Sequence, residues 1–422
     1  MRRRLVLAAL LLAFVASFFT YARRTGDFAG YVSAGNAALD GRDIYADTPP
    51  GVNTWPPFFS FVSVPLALLD RVSPYLARIL WIVLTWASIF WALDLIARLL
   101  YGKRLVWRAD ETALDIASPE LFVPFLLTLP YTLNNFELLQ INTILFALVL
   151  WGLYLQANGH AAAGGIAIGA AAAMKLMAIA FLPYFLYRRR WRVAFWTAAA
   201  TCVFFFSPML ILGWAKFWKD VALWLLALHG AMDSGNAQQS VYSMWDRILG
   251  YGYAPFAVPG TFQLPLSGAR SAKLAWEITC AVVAVLGAIA FRGTPRPGSR
   301  WVEVEWAAVF VASTILSPIA RKPYFVVLLL PNALLYAAWR SSEPDARVRR
   351  VIGGVLLASF ALSVPTLHDL TGKSLAVRLE MGSVVTYGAS IMLGGLLWYR
   401  NRAPRQELER LPLAVGTREI AN

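Results

Sequence analysis

Long apolar runs recur from one end of the chain to the other, with short polar stretches between them. A helix that crosses the hydrocarbon core of a bilayer needs about 20 such residues. Runs of this kind cover residues 4–21, 78–100, 119–133, 138–156, 193–213, 272–291, 305–317, 323–339, 351–365 and 381–399. Backbone amides in lipid have no water to bond, so each run is expected to be helical. The run from 305 is short and reads as tilted or partly loop. Residues 161–187 are long enough for one tilted helix, but Lys175 interrupts the middle and Pro183 lies beyond it. The first run, behind Arg2-Arg3-Arg4, reads as an uncleaved span, because no convincing small-residue cleavage site follows it.

Composition supports this pattern. Of 422 residues, 59% are hydrophobic and 15% are charged, against roughly 25% charged residues in a soluble domain. The expected architecture is an all-α polytopic membrane protein with a single transmembrane domain over residues 1–422. A formal net charge of +14 would otherwise point to nucleic acid. The basic residues instead sit in short clusters between apolar runs, as in cytoplasmic loops, and nucleic acid is excluded as a partner. Cys202 and Cys280 both lie in apolar runs and read as packed thiols.

Orientation follows from the same clusters. With Arg2-Arg3-Arg4 inside, Lys103-Arg104 and Arg108 also fall inside. Arg188-Arg189-Arg190 join them only if 161–187 crosses twice or re-enters, as two half-length helices meeting near Lys175. Arg292, Arg296, Arg300, Arg340, Arg347, Arg349 and Arg350 then follow the rule, as does the tail over 400–422. The expectation is about 12 crossings of the cytoplasmic membrane with both termini cytoplasmic. The outer face carries loops over about 22–77 and 214–271, and short turns near Asn134-Asn135, 319–322 and 367–380. Residues 56–69 and 217–228 are too short to span and read as interfacial helices, with Trp55, Trp218 and Trp224 at headgroup level. The Ala-rich stretch 161–173 suits close helix packing.

A site should collect the polar residues that lipid rejects, and the first outer loop does so. It carries Gly26-Asp27-Phe28, Tyr31, Gly41-Arg42-Asp43-Ile44-Tyr45, Trp55-Pro56-Pro57 and Pro65-Leu66. Asp27 follows the first span closely, so its carboxylate should lie at the membrane surface. There it could take a proton from a hydroxyl, or it could be an ordinary solvated aspartate. Arg321 and Lys322 lie on an outer turn against the positive-inside trend, which is costly unless they meet an anion such as a lipid phosphate or snorkel to the headgroups. Lys175 should face the bundle interior or a cavity, holding a phosphate or pairing with a carboxylate such as Glu137. Arg247 is a further cation on the second outer loop. His229 and His368 read as ordinary loop residues. Asp27 and Asp43, with no nearby His or Glu, make no clear ligand set, so a divalent metal is conceivable without support and no cofactor is expected. No dinucleotide fingerprint or phosphate loop is present.

The order of the first-loop motifs resembles glycosyltransferase family 87, polyprenyl-phosphate-mannose-dependent mannosyltransferases of the GT-C fold class. The resemblance continues in Gln140-Ile141-Asn142, similar to a Gly-Gln-x-Asn element with Leu139 where Gly is usual. Residues 164–175 resemble an Ala-Gly…Lys-x-x-Pro element, with Met177-Ala178 where proline is usual. Residues 236–240 and Arg247 resemble an Asn-Gln-Ser…Arg element that brings in Gln239. Ser317-Pro318 with Pro331 resembles a Ser-Pro…Pro element. Many members carry Trp and His after that Ser-Pro, where this chain has Ala320-Arg321-Lys322-Pro323.

The resemblance implies a GT-C-like bundle with Asp27 as general base. Lys175, Arg321, Lys322 and Arg247 would bind the donor phosphate. Asp43, Tyr45, Gln140, Asn142 and Gln239 would bind substrate or support those that do. It implies inverting transfer of a hexose, mannose by analogy, from a polyprenyl-phosphate donor to a glycan or glycolipid acceptor on the outer face. The competing readings are a transporter or lipid flippase, which also uses broken helices, and an assembly factor without catalysis.

Overall fold

The computed structural model describes residues 2–45, 53–106, 113–232, 235, 237–250, 269–293, 300–341 and 345–402. The tail expected from about residue 400 lies outside these beyond Arg402, as do Asn236 and residues 251–268 of the second outer loop.

The described chain is helical apart from one two-stranded parallel ladder. In order, the elements are α1 (Arg2–Tyr21), α2 (Phe28–Leu39), α3 (Pro57–Val62), α4 (Val64–Val72), α5 (Pro74–Tyr101), β1 (Arg104–Val106), β2 (Ala113–Asp115), α6 (Pro119–Glu137), α7 (Asn142–Ala157) and α8 (Ala161–Met174). A 3-10 turn, Leu176–Ala180, leads into α9 (Phe181–Tyr187), α10 (Trp191–Phe206), α11 (Met209–Leu212), α12 (Trp214–Gly230) and α13 (Val241–Trp245). A π turn, Asp246–Gly250, precedes α14 (Ala269–Ala290) and α15 (Trp301–Leu316). A 3-10 segment, Lys322–Leu328, opens α16 (Leu329–Arg340), followed by α17 (Ala346–Ser363), α18 (His368–Thr371), α19 (Lys373–Met381) and α20 (Val384–Arg402).

Among the described residues, five helices are long and apolar enough to cross a membrane: Arg3–Tyr21, Pro74–Tyr101, Trp191–Leu212, Arg270–Ala290 and Ala346–Thr366. Lys373–Met381 with Val384–Asn401, bent by 54°, makes a sixth if the pair is one span. The protein is therefore a multi-pass, all-α membrane protein. Shorter apolar helices accompany these, among them Asn142–Ala157, Ala161–Met174 and Leu176–Tyr187. Three elements were not foreseen: α2 inside the loop after α1, and α18 and α19 inside the 367–380 turn.

The described residues divide into two compact units, those of 1–95 and 133–232 in one, and those of 96–132 and 233–402 in the other. In the first, α8 lies between α7 and α10. Side chains at Gly164 and Gly165 would run into the backbones of α7 and α10, so only small residues permit this approach, as the Ala-rich stretch led one to expect. The helical run breaks at Lys175, whose φ of −156° and ψ of 118° are extended. Met177-Ala178 replaces the usual proline, yet the chain still leaves the α-helix and tightens into a 3-10 turn.

The loop after α1 is held by an aromatic floor. The ring of Tyr31, fully buried, meets Trp55, Phe59 and Trp81 with centroids 4.7, 5.1 and 5.3 Å away, and Phe28 also packs on Trp81. Farther along, Tyr45 donates to the Trp55 carbonyl at 2.7 Å, Asn53 to the Ile44 carbonyl at 3.1 Å, and Trp224 of α12 to the Thr54 carbonyl at 3.0 Å. Phe217, Val221 and Trp224, spaced along one face of α12, pack against Ala34, Ile44 and Tyr45. The opposite face leaves Trp214, Trp218, Leu225 and Leu226 exposed, as an interfacial helix requires.

In the second unit α20 packs against α15 and α17. Arg400 and Glu305 form a buried ion pair at 2.9 Å, and the Arg400 guanidinium lies 3.8 Å from the Trp301 ring centroid. Asn332 donates to Thr128 at 3.0 Å in the same buried interior.

Candidate active site

Two turns meet in the first unit. Gly26 has φ +46°, and a Cβ there would run into the Leu138 carbonyl, so glycine is required on both counts. The Asp27 N–H donates to that carbonyl at 2.8 Å. Across the same turn, the Trp81 indole donates to the Leu139 carbonyl at 3.0 Å, and the Ile141 N–H donates to the Tyr31 hydroxyl at 3.2 Å. Leu139 itself has φ +48°, the conformation that glycine adopts without strain. That explains why glycine is usual at this place in the motif. Here leucine accepts the strain and is buried in return, 1% exposed.

The result is a chain of side-chain hydrogen bonds with one direction. The Lys175 ammonium donates to Asn142 Oδ1 at 2.6 Å. The Asn142 amide donates to Gln140 Oε1 at 3.0 Å, and Gln140 Nε2 donates to Asp27 Oδ2. The ends fix both amide orientations, because an ammonium only donates and a carboxylate only accepts. Asn142 is further steadied by Asn135 Oδ1 at 3.3 Å. Gln140 and Asn142 are buried while Asp27 is half-exposed, so the network delivers an oriented carboxylate to the surface of the unit. Four residues expected separately thus form one array. Glu137 pairs with Arg24 at 2.9 Å.

Asp43 and Tyr45 stand elsewhere in this unit. Asp43 pairs with Lys219 of α12 at 2.8 Å, which holds its carboxyl below the usual range, and Lys216 donates to the Gly41 carbonyl. Sequence reasoning missed Asp220, which is wholly buried beside this latch, with the Ile44 backbone N–H near its carboxylate. Burial pushes its carboxyl up to about 6, with Lys216, Lys219 and the Ile44 N–H opposing the shift and Asp43 adding to it. Its spacing from Phe217 and Trp224 puts it on the inward face of α12, and that signal was available in the sequence.

The remaining candidates belong to the second unit. Arg247, 2% exposed, donates to the carbonyls of Glu380 at 3.0 Å, Met381 at 3.3 Å and Gly235 at 3.0 Å, to the Gln238 carbonyl, and to Ser383 Oγ at 2.6 Å. Lys322, also buried, donates to the Thr366 carbonyl and to Glu380 Oε1 at 3.3 Å. Gln239 donates to the Glu380 carbonyl at 2.8 Å, and its N–H bonds to the Ala320 carbonyl. Glu380, not singled out from sequence, is the hub of this cluster, with His368 Nε2 3.8 Å from the same carboxylate oxygen. Arg321 is half-buried, and its side chain has no partner among the described residues. Among those residues, no group of three or more His, Cys, Asp or Glu stands close enough to hold a metal ion.

Residues 53–318 match Glycosyltransferase family 87. The chain belongs to that family. It is a membrane glycosyltransferase, and Asp27 lies ahead of the matched segment. A polyprenol-phosphate-mannose-dependent alpha-(1-2)-phosphatidylinositol mannoside mannosyltransferase of Mycobacterium tuberculosis is 26% identical over 96% of this chain and 92% of its own length. The protein of the same description from Mycolicibacterium smegmatis is 27% identical over 86% and 81%. The crystal structure of ArnT from Cupriavidus metallidurans in the apo state aligns with 94% of this chain and 77% of that one at 14% identity, with a TM-score of 0.35.

Proposed function

We propose that this glycosyltransferase moves a mannosyl unit from a polyprenyl-phosphate donor to a glycan or glycolipid acceptor at the outer face of the cytoplasmic membrane, with inversion and with Asp27 as general base. The observation that carries the reading is the directed chain from Lys175 through Asn142 and Gln140 to Asp27. It holds a half-exposed carboxylate in one orientation beside the end of a membrane helix. An acceptor hydroxyl oxygen would attack the anomeric carbon as the bond to phosphate breaks. Its proton would pass to Asp27, and the polyprenyl phosphate would leave with the electron pair. The relatives' printed activity supports the donor and makes a phosphatidylinositol mannoside the first acceptor to try.

Arg321, expected at the donor phosphate, belongs to the second unit, and no described side chain engages it. Lys175 serves as the far anchor of the chain. The topology is part of the proposal: about 12 crossings, five of them by α1, α5, α10 with α11, α14 and α17 and the rest by shorter or bent apolar segments, with both termini cytoplasmic. The break at Lys175 would also suit a transporter, but family membership favours the enzyme.

The test is transfer of radiolabelled mannose from purified lipid donor by wild-type and Asp27→Asn protein. Turnover should fall by about 100-fold or more without the base. Undiminished turnover would remove Asp27 from the role.

A further inference from the structure

The hydrogen bonds that run from Lys175 to Asp27 carry a polarity as well as an aim. The ammonium donates to Asn142 Oδ1 at 2.6 Å, so the Asn142 amide turns its N–H end the other way, to Gln140 Oε1 at 3.0 Å. Gln140 then offers its own N–H to Asp27 Oδ2. Each amide points its oxygen toward the cation and its nitrogen toward the carboxylate. Dipoles linked head to tail polarise one another, most strongly where water is excluded, and both amides are buried. Asn135, fully buried in the last turn of α6, braces the same sense. Its carbonyl takes the Gln140 N–H at 2.9 Å and its Oδ1 takes the Asn142 amide at 3.3 Å.

A hydrogen bond donated to a carboxylate favours the charged form. A Gln140 turned the other way would set its Oε1 against Asp27 Oδ2, an arrangement that is favourable only with a proton between them. The other polar and charged groups around this turn face elsewhere. Arg24 is matched by Glu137 at 2.9 Å, Arg78 at the start of α5 donates to the Ala22 carbonyl at 3.4 Å, and Arg23 is exposed. The Tyr31 hydroxyl of α2 takes the Ile141 N–H at 3.2 Å. The reaction makes the state of the acid matter. A base must be ionised to receive the hydroxyl proton, yet the phosphate of a lipid donor is an anion, and an anion nearby favours protonation.

We infer that Lys175, by enforcing the direction of the Asn142 and Gln140 amides, keeps Asp27 ionised against the negative charge of its substrate, an inference that rests on the glycosyl-transfer reading for the role of Asp27. Lys175 is thus a positioning residue that sets the charge of the base as well as its aim.

The experiment reads the charge of Asp27 directly. Purified protein in phosphatidylcholine nanodiscs is titrated by infrared spectroscopy, following the stretch of the protonated carboxyl that Asp27→Asn removes. Lys175→Met should raise the midpoint of that band by about one pH unit or more. Lys175→Arg, which restores a cation that only donates, should keep it near wild type. Gln140→Leu removes the last donor without touching the helix break and should raise it too, which provides the reading if Lys175→Met protein does not fold. The acid limb of sugar transfer should move up in step with the band. A midpoint unmoved in folded Lys175→Met or Gln140→Leu protein would overturn the inference, as would an equal rise in Lys175→Met and Lys175→Arg. A band that moves as expected in a protein whose sugar transfer ignores Asp27→Asn would overturn the functional reading and leave the charge-setting array standing.

Discussion

Lys175 and Arg247 looked alike in the sequence, as cations set among apolar runs and matched to family elements. The structure gives them different surroundings. Lys175 ends a line of side chains that leads to a half-exposed acid, whereas Arg247 is sealed among main-chain carbonyls and a hydroxyl. A cation that bonds side chains can transmit orientation to another functional group. One that bonds carbonyls from residues far along the chain chiefly fixes where those segments run. What surrounds a charge, rather than its presence, separates a chemical role from an architectural one.

Substitutions can break this comparison, and the largest effect should come from Asp27→Asn, with turnover falling by about 100- to 10,000-fold while thermal unfolding barely moves. Arg247→Met should do the reverse. Stranding several buried carbonyls is expected to cost about 3–5 kcal/mol, seen as a lower unfolding midpoint or lost expression. If Arg247→Met protein unfolds like wild type and instead shows a raised donor KM, the contrast between the two regions collapses. Gln140→Leu sharpens it. Removing the amide that orients Asp27 should lower kcat by about 10- to 100-fold with little change in donor KM. An effect on KM alone would make Gln140 a substrate ligand.

The latch between the first loop and α12 gives a smaller effect with a definite pH signature. With its carboxyl near 6 in the folded chain, Asp220 keeps a proton that the unfolded chain releases near its ordinary value of 3.8. Between those values the folded state binds more protons, so stability should fall as pH rises through that window. Asp220→Asn should remove this slope and raise stability above pH 6 by something on the order of 2 kcal/mol, measured by thermal scans across pH. Asp43 works with the opposite sign, its contribution being lost as pH falls. Lys219→Met removes only an exposed pair and should leave the unfolding midpoint nearly unchanged.

Much of the first site was legible. Asp27, Gln140, Asn142 and Lys175 all stood in ordered motifs, and the break at Lys175 followed from counting which basic clusters must share a side. What could not be read was their connection. Nothing in the sequence says that Gln140 reaches across to Asp27, because their meeting depends on two turns locked by Gly26 and on a leucine in glycine's conformation at Leu139. In the second unit the same limit hid Glu380, whose main-chain oxygen gathers Gln239 and Arg247 from more than 130 positions earlier. Helix α2 was hidden for another reason. It lies in a stretch too short to span and interrupted by Gly30 and Gly35, and tertiary packing of Phe28 and Tyr31 shapes it.

Gly26 leaves no clearance between the two turns. The width of one methyl group there would wedge them apart, and the acid would lose its aim although no polar atom had been touched. A tight tolerance in this enzyme thus falls on a residue without a side chain, where a screen of charged and aromatic positions would never look.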